Sequence, residues 1–246
     1  MKHQLALLKR FIPTLAIVLI FASCNHFINL DTVTGSGNVT TENRSFDQEF
    51  TGIKSSNGID VIIEQADKFE VIVEADDNIQ ESITVKVQNG TLMIGCKYDS
   101  FIGVTTKKVL VKMPVIEELQ ASRSSTIGSN NKIKSNSIDI NTSTGSTVDL
   151  NINSDKIICM ASTGSEIFLK GLALELEAKA STGSEIDTEE LIANEVIANS
   201  STGSTIMVSP SLNLRATAST GSSITYSKTP KKITKIKSTG ASIELN

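Results

Sequence analysis

The chain has 246 residues, with 23 Lys and Arg against 27 Asp and Glu, a formal net charge of −4, and no tryptophan. A chain of that sign has no field to draw it to a polyanionic duplex, which excludes DNA and RNA as partners. Its only histidines, His3 and His26, precede every stretch with strand periodicity, so the folded body holds neither a Ser-His-Asp or Cys-His nucleophile nor a histidine-ligated metal.

The first ten residues, MKHQLALLKR, carry Lys2, Lys9 and Arg10 and no acid, and the stretch from Phe11 to Phe21 is almost wholly apolar. These are the n-region and h-region of a secretory signal. The apolar stretch is shorter than the roughly 20 helical residues that a bilayer core requires, so residues 1–23 are expected to be a cleaved leader. Phe21-Ala22-Ser23-Cys24 sets two small residues directly before a cysteine and resembles the lipobox of bacterial lipoproteins. The resemblance implies that the Cys24 thiolate takes a lipid and anchors the chain to a membrane; Asn25, where Asp would signal retention, favours the outer membrane. Without the leader the net charge becomes −7. Residues 24–37, with Gly35 and Gly37 and no clear period, read as the lipidated end and a tether.

Residues 38–119 form an N-terminal β region. Ile59, Val61 and Ile63, then Phe69, Val71 and Val73, Ile83, Val85 and Val87, and Leu92 and Ile94 alternate with polar residues, which marks half-buried strands. Asn89-Gly90 marks a hairpin, because both residues accept the positive φ of a primed turn. This region is therefore at least partly antiparallel.

Residues 120–246 are dominated by a repeat. Ser-Thr-Gly-Ser recurs with glycines at 145, 164, 183, 203 and 221, then as Ser-Thr-Gly-Ala at 240, at intervals of 19, 19, 20, 18 and 19 residues; Ser122 to Ser125 is an imperfect forerunner. A fixed period in this range marks a solenoid whose every repeat is one coil. Three residues after each glycine position stand Ile127, Val148, Ile167, Ile186, Ile206, Ile224 and Ile243, the series an internal aliphatic ladder requires. On the return strand Leu174, Leu176, Ala178 and Ala180, and again Leu212, Leu214, Ala216 and Ala218, are expected to point inward. Lys235 and Lys237, one coil beyond Ala216 and Ala218, predict a polar last coil that guards the open end. The fold class is all-β, a parallel β-helix of about 19 residues per coil, with 38–246 one continuous domain.

The repeated serines are equivalent from coil to coil, which suits a structural hydroxyl ladder and not a singular nucleophile. No Walker loop, dinucleotide fingerprint or paired CxxC is present, and no cofactor is expected. Glu166 and Glu185 both fall two residues after their glycine, so adjacent coils set them about 5 Å apart. Such a pair either splays into solvent or serves as a cation ligand or an acid and base pair, as in glycosidases. Cys96 and Cys159 share parity with apolar neighbours and read as small buried hydrophobes in preference to a disulfide.

Phe50-Thr51-Gly52-Ile53, Asn57-Gly58-Ile59-Asp60-Val61, Val73 to Asn78, Asn89-Gly90-Thr91-Leu92 and the Ser/Gly-rich repeats together resemble the auto-transporter adhesin head GIN domain family. The resemblance runs over about 45–245 and implies a right-handed β-helix, shaped like pectin lyases without their catalytic residues, and an adhesive role. Three readings follow. One is a non-catalytic cell-envelope lipoprotein that binds an envelope or host glycan or protein. Another is a polysaccharide lyase or hydrolase using Glu166 and Glu185. The third is a structural envelope protein that self-associates as a homo-oligomer.

Overall fold

The computed structural model describes residues 31–246, and the folded unit runs from Thr32 to Asn246. The expected leader, Cys24 and most of the tether lie outside the described residues, although Thr32–Thr34 within the tether range already forms a strand, β1.

Strands β2 (Val39–Asn43), β3 (Gly52–Ser55), β4 (Asp60–Gln65), β5 (Glu70–Asp76), β6 (Ile83–Gln88), β7 (Thr91–Cys96), β8 (Ser100–Ile102) and β9 (Lys107–Met113) build the N-terminal part, with one short helix, α1 (Asp77–Gln80). The coils that follow hold β10 (Glu118–Ala121), β11 (Thr126–Ser129), β12 (Ile133–Ser143), β13 (Thr147–Ser162), β14 (Glu166–Ser181), β15 (Glu185–Ser200), β16 (Thr205–Ala218), β17 (Ser223–Tyr226), β18 (Lys232–Lys237) and β19 (Ser242–Leu245). Among the described residues only β2 with β5, β5 with β9 and β6 with β7 pair antiparallel. Every pairing from β10 onward is parallel, and Asn89 and Gly90 turn the β6–β7 hairpin at φ 51° and 75°.

Each coil turns at its Ser-Thr-Gly-Ser corner. The threonines at 144, 163, 182, 202, 220 and 239 have φ between 48° and 56°, and the glycines after them between 64° and 72°. Two successive left-handed residues make a type I′ turn, closed where Ser204 N–H donates to Ser201 O at 3.3 Å and Ser222 N–H to Ser219 O at 3.2 Å. Corners also bond to one another, as Gly164 N–H does to Thr182 O at 3.1 Å. Asn57-Gly58 forms the same left-handed pair, and Gly58 N–H donates to Arg123 O at 2.9 Å. The first corner of the solenoid is thus built on Asn-Gly, with Asn57 standing 66 residues upstream of its counterpart Arg123 in the forerunner.

Inside the corner the last serine does the packing. Ser184 Oγ accepts from Ser181 N–H at 3.0 Å and lies 2.8 Å from both Ala161 O in the preceding coil and Ser181 O. Ser146, Ser204 and Ser222 repeat this arrangement, and Ser165 meets Thr142 Oγ1 at 2.9 Å. All are buried, so the hydroxyls satisfy backbone groups that would otherwise be desolvated without partners.

Two internal ladders follow from the stacking. Val61, Ile127, Val148, Ile167, Ile186, Ile206, Ile224 and Ile243 are successive register partners, none more than 3% exposed. Ile53, Leu119, Ile140, Cys159, Ala178, Ala198 and Ala216 form the return ladder, which narrows toward the C-terminal end. Leu174, expected inside, is 52% exposed, and Leu212 is half-buried. Both sit at a bend where two adjacent residues face outward, as Asp155-Lys156 and Leu174-Glu175 do. Inward parity therefore restarts at Ile157 and Leu176 instead of continuing through the bend.

The two ends are closed differently. At the N-terminal end the buried Asp76 carboxylate accepts from the amides of Gly37, Thr105 and Thr106 at 2.9, 3.0 and 3.1 Å. Asp77 takes Ser36 Oγ at 2.6 Å, and Asn78 bonds Ser36 N–H and Thr34 O. Asp76-Asp77-Asn78 is thus a clasp on the entering segment. At the other end the inward Lys235 Nζ bonds Tyr226 Oη at 2.7 Å and lies 4.6 Å from the centre of that ring, so a polar cap covers the last hydrophobic layer. Among the described residues no helix is long and apolar enough to cross a membrane.

Candidate functional site

The register places Glu166 and Glu185 directly beside one another, on the outward side of β14 and β15. Glu166 is exposed and Glu185 half-buried. Partial burial, then the charges of Glu166 and Asp187, push the Glu185 carboxyl above the usual range. A carboxyl raised by a neighbouring carboxylate is one half of the electrostatic pattern of an acid and base pair. The surroundings do not complete one. Neither glutamate lines any of the three grooves described next, and among the described residues no group of three or more His, Cys, Asp or Glu could hold a metal ion.

Three grooves run along the outside of the coils. One of about 680 Å³ lies between the Ser corners and the outward residues of the return strands. Its floor is a series in one register, Gln120, Asn141, Met160, Lys179, Asn199 and Thr217, and its wall is the first serine of each corner, from Ser122 to Ser219. Six coils at the ~4.8 Å strand spacing make this an open polar trough about 24 Å long. A second, of about 920 Å³, lies at the bend, where Val115, Leu172, Leu174 and Ile192 are exposed among amides and acids. The third, of about 480 Å³, combines Glu175, Glu177 and Glu195 with Lys156, Arg215 and Lys232. Its carboxylates are already answered: Glu175 lies 3.9 Å from Lys156, Glu177 2.6 Å from Lys179, and both Glu195 oxygens accept from Asn213. That face is a solvated alternation of charge.

Cys96 and Cys159 are both free thiols. Burial, and secondarily the charge of Glu177, push Cys159 up to about 12, and burial raises Cys96, so neither is a thiolate at neutral pH. Sequence reasoning missed the clasp at Asp76, Asp77 and Asn78 and the corner role of Asn57-Gly58. The latter was legible, because Val61 stands three residues after Gly58, in step with the later coils.

The family described as "Putative auto-transporter adhesin, head GIN domain" matches residues 49–230. Among solved structures the chain is similar to a "putative adhesin" from Bacteroides fragilis, at 19% identity and a TM-score of 0.80, covering 87% of this chain and 100% of that one. It is similar to a "putative adhesin" from Parabacteroides merdae, at 22% identity and a TM-score of 0.67, covering 88% and 99%. A "putative lipid binding protein" from Parabacteroides distasonis has 20% identity and a TM-score of 0.70, with 87% and 99% covered. At these identities the likeness shows the fold alone. None of the curated proteins matches.

Proposed function

The chain belongs to the "Putative auto-transporter adhesin, head GIN domain" family, and from that premise we propose that it is an exported lipoprotein, anchored through Cys24, that acts as a non-catalytic binding module of the cell envelope. The reading rests above all on the polar trough. It repeats amide and hydroxyl side chains, Gln120, Asn141, Asn199 and Thr217 on the floor and one corner serine per coil on the wall, with Met160 and Lys179 between them. Repetition at strand spacing suits an extended ligand with its own repeat, a glycan or an extended peptide, held by many similar hydrogen bonds. Catalysis instead requires charge gathered at one point, and Glu166 with Glu185 stand outside the trough.

A glycan and peptide array probed with the folded unit Thr32–Asn246 tests the binding reading. Retention on an extended polymer that is lost in N141A/K179A/N199A supports it, and retention unchanged by that variant refutes it. The anchor is tested separately by metabolic labelling with a radioactive fatty acid. Label is expected in the full chain and not in C24S, and equal label in both rejects Cys24.

A further inference from the structure

Charge is distributed very unevenly between the ends of this solenoid. Residues 38–81 hold eleven acids and three bases and residues 82–113 one acid and five bases, so the N-terminal coils carry a net charge of −4, with β2 and β5 at the far edge of the first ladder. Residues 228–246, the last coil, hold five lysines and one acid, Glu244. Eleven strands lie side by side from β2 to β19, so the two edges are about 48 Å apart. At physiological salt the field of one end is screened long before it reaches the other, because the Debye length is ~8 Å.

Edge protection accounts for only part of this lysine cluster. Lys235 and Lys237 replace inward alanines and cover the open core, which is the guard role of charged residues on a free edge. Lys228, Lys231 and Lys232 are not needed for it. Lys228 and Lys231 precede the strand, and Lys232 faces outward opposite Asn213. The side chains of Lys228, Lys231, Lys232 and Lys237 are all exposed and, among the described residues, form no ion pair or hydrogen bond. Among them stand exposed aliphatics: Ile233 is 36%, Ile236 49% and Leu245 54% exposed. No aromatic residue occurs after Tyr226, so the stacking that sugars and single-stranded nucleic acids use is missing.

We propose that the last coil is a cationic, aliphatic tip that docks end-on onto an anionic lipid surface. Lysine is a point charge on a flexible stem, suited to a diffuse layer of headgroups more than to a bidentate fit on one phosphate. Aliphatic side chains among the lysines suit the boundary between headgroups and acyl chains. The acidic end stands beyond the reach of the surface in this orientation only, so charge selects the end-on approach. The chain enters the fold at the opposite end, where the clasp holds Ser36 to Asn38. A protein anchored there would reach a second surface with its tip. This last consequence rests on the adhesion reading above; the lipid binding itself does not.

Cosedimentation of the unit Thr32–Asn246, which lacks Cys24, with vesicles of phosphatidylcholine alone or mixed with phosphatidylglycerol tests the proposal. Binding is expected only with phosphatidylglycerol, and it weakens as salt rises. Each single alanine substitution at Lys228, Lys231, Lys232 or Lys237 lowers the partition about fivefold, and all four together lower it roughly a thousandfold. I236S/L245S weakens binding without altering its salt slope. Far-ultraviolet circular dichroism of each variant verifies the fold. Equal binding to neutral vesicles, binding that survives the fourfold lysine variant, or retention only on an acidic polysaccharide or on a second copy of the chain overturns it. Failure here with glycan or peptide binding in the trough intact leaves the adhesion reading standing, and loss of the trough ligand with vesicle binding intact does the reverse.

Discussion

Replacing Thr144 and Thr202 by asparagine should stabilise the fold, although both side chains are exposed and make no hydrogen bond among the described residues. The reason lies in the backbone. At φ 55° and 53° each threonine occupies the left-handed region, which costs an ordinary L-residue ~1–2 kcal/mol and a β-branched one at least as much. Asparagine tolerates it, and the chain itself uses asparagine at the equivalent place in Asn57-Gly58 and Asn89-Gly90, at φ 59° and 51°. No contact is lost, so each exchange is worth about 1 kcal/mol. The two corners are three coils, about 14 Å, apart, too far to couple, and their effects add to about 2 kcal/mol. For a unit of this size that is a rise of about 4–8 °C in Tm, read by circular dichroism, with a higher urea midpoint at constant m-value. T144G/T202G relieves the same strain but loosens the unfolded chain, and should gain less. An asparagine variant no more stable than the parent would refute the reasoning, because the threonine backbone would then carry no strain.

The buried corner serines make the opposite prediction. Ser184→Ala leaves the Ser181 amide and the Ala161 carbonyl without their partner and should cost about 2 kcal/mol, measured by urea denaturation; a change under a few tenths would exclude the hydroxyl ladder as a source of stability. Burial alone would raise the Asp76 carboxyl, but the amides of Gly37, Thr106 and Thr105 outweigh it and hold it below its usual value of 3.8. A carboxyl lowered on folding contributes stability above its unfolded pKa and loses it as pH falls below that value. Tm should therefore drop steeply below about pH 4, and the drop should be shallower in D76N. Glu185, held above its usual range, has the reverse sign, so its contribution is present in acid and is lost as pH rises through its folded pKa. E185Q should raise Tm at neutral pH, and E166Q should move the Glu185 titration, followed by NMR, downward; an unmoved titration means the two carboxylates do not sense each other.

Much of the fold was legible because a solenoid brings equivalent positions of successive repeats into contact, so the contact map is nearly a restatement of the period. The ladder from Val148 to Ile243 and the polar last coil at Lys235 needed nothing further. Leu174 misled because alternation is interrupted inside β14, where Leu174 and Glu175 both face outward, and the nearest special residue, Gly171, stands three positions earlier. The clasp was illegible for a different reason: Asp76 meets Gly37, Thr105 and Thr106 across separations of 39, 29 and 30 residues. The hydrogen bonds of a single carboxylate leave no periodicity behind.

The sequence by itself determined the period of the coils, the aliphatic ladder, the turn chemistry of the corners and the lack of a histidine-based centre, because each depends on residue identity at a fixed spacing. Only the tertiary structure decided which outward side chains share a trough, that Glu166 and Glu185 stand apart from it, and that the lysines after Ser227 gather at one end of the stack, opposite the acids of β2 and β5. Those relations join strands that pair across the whole length of the chain, and a pattern read along one dimension cannot supply the distances between them.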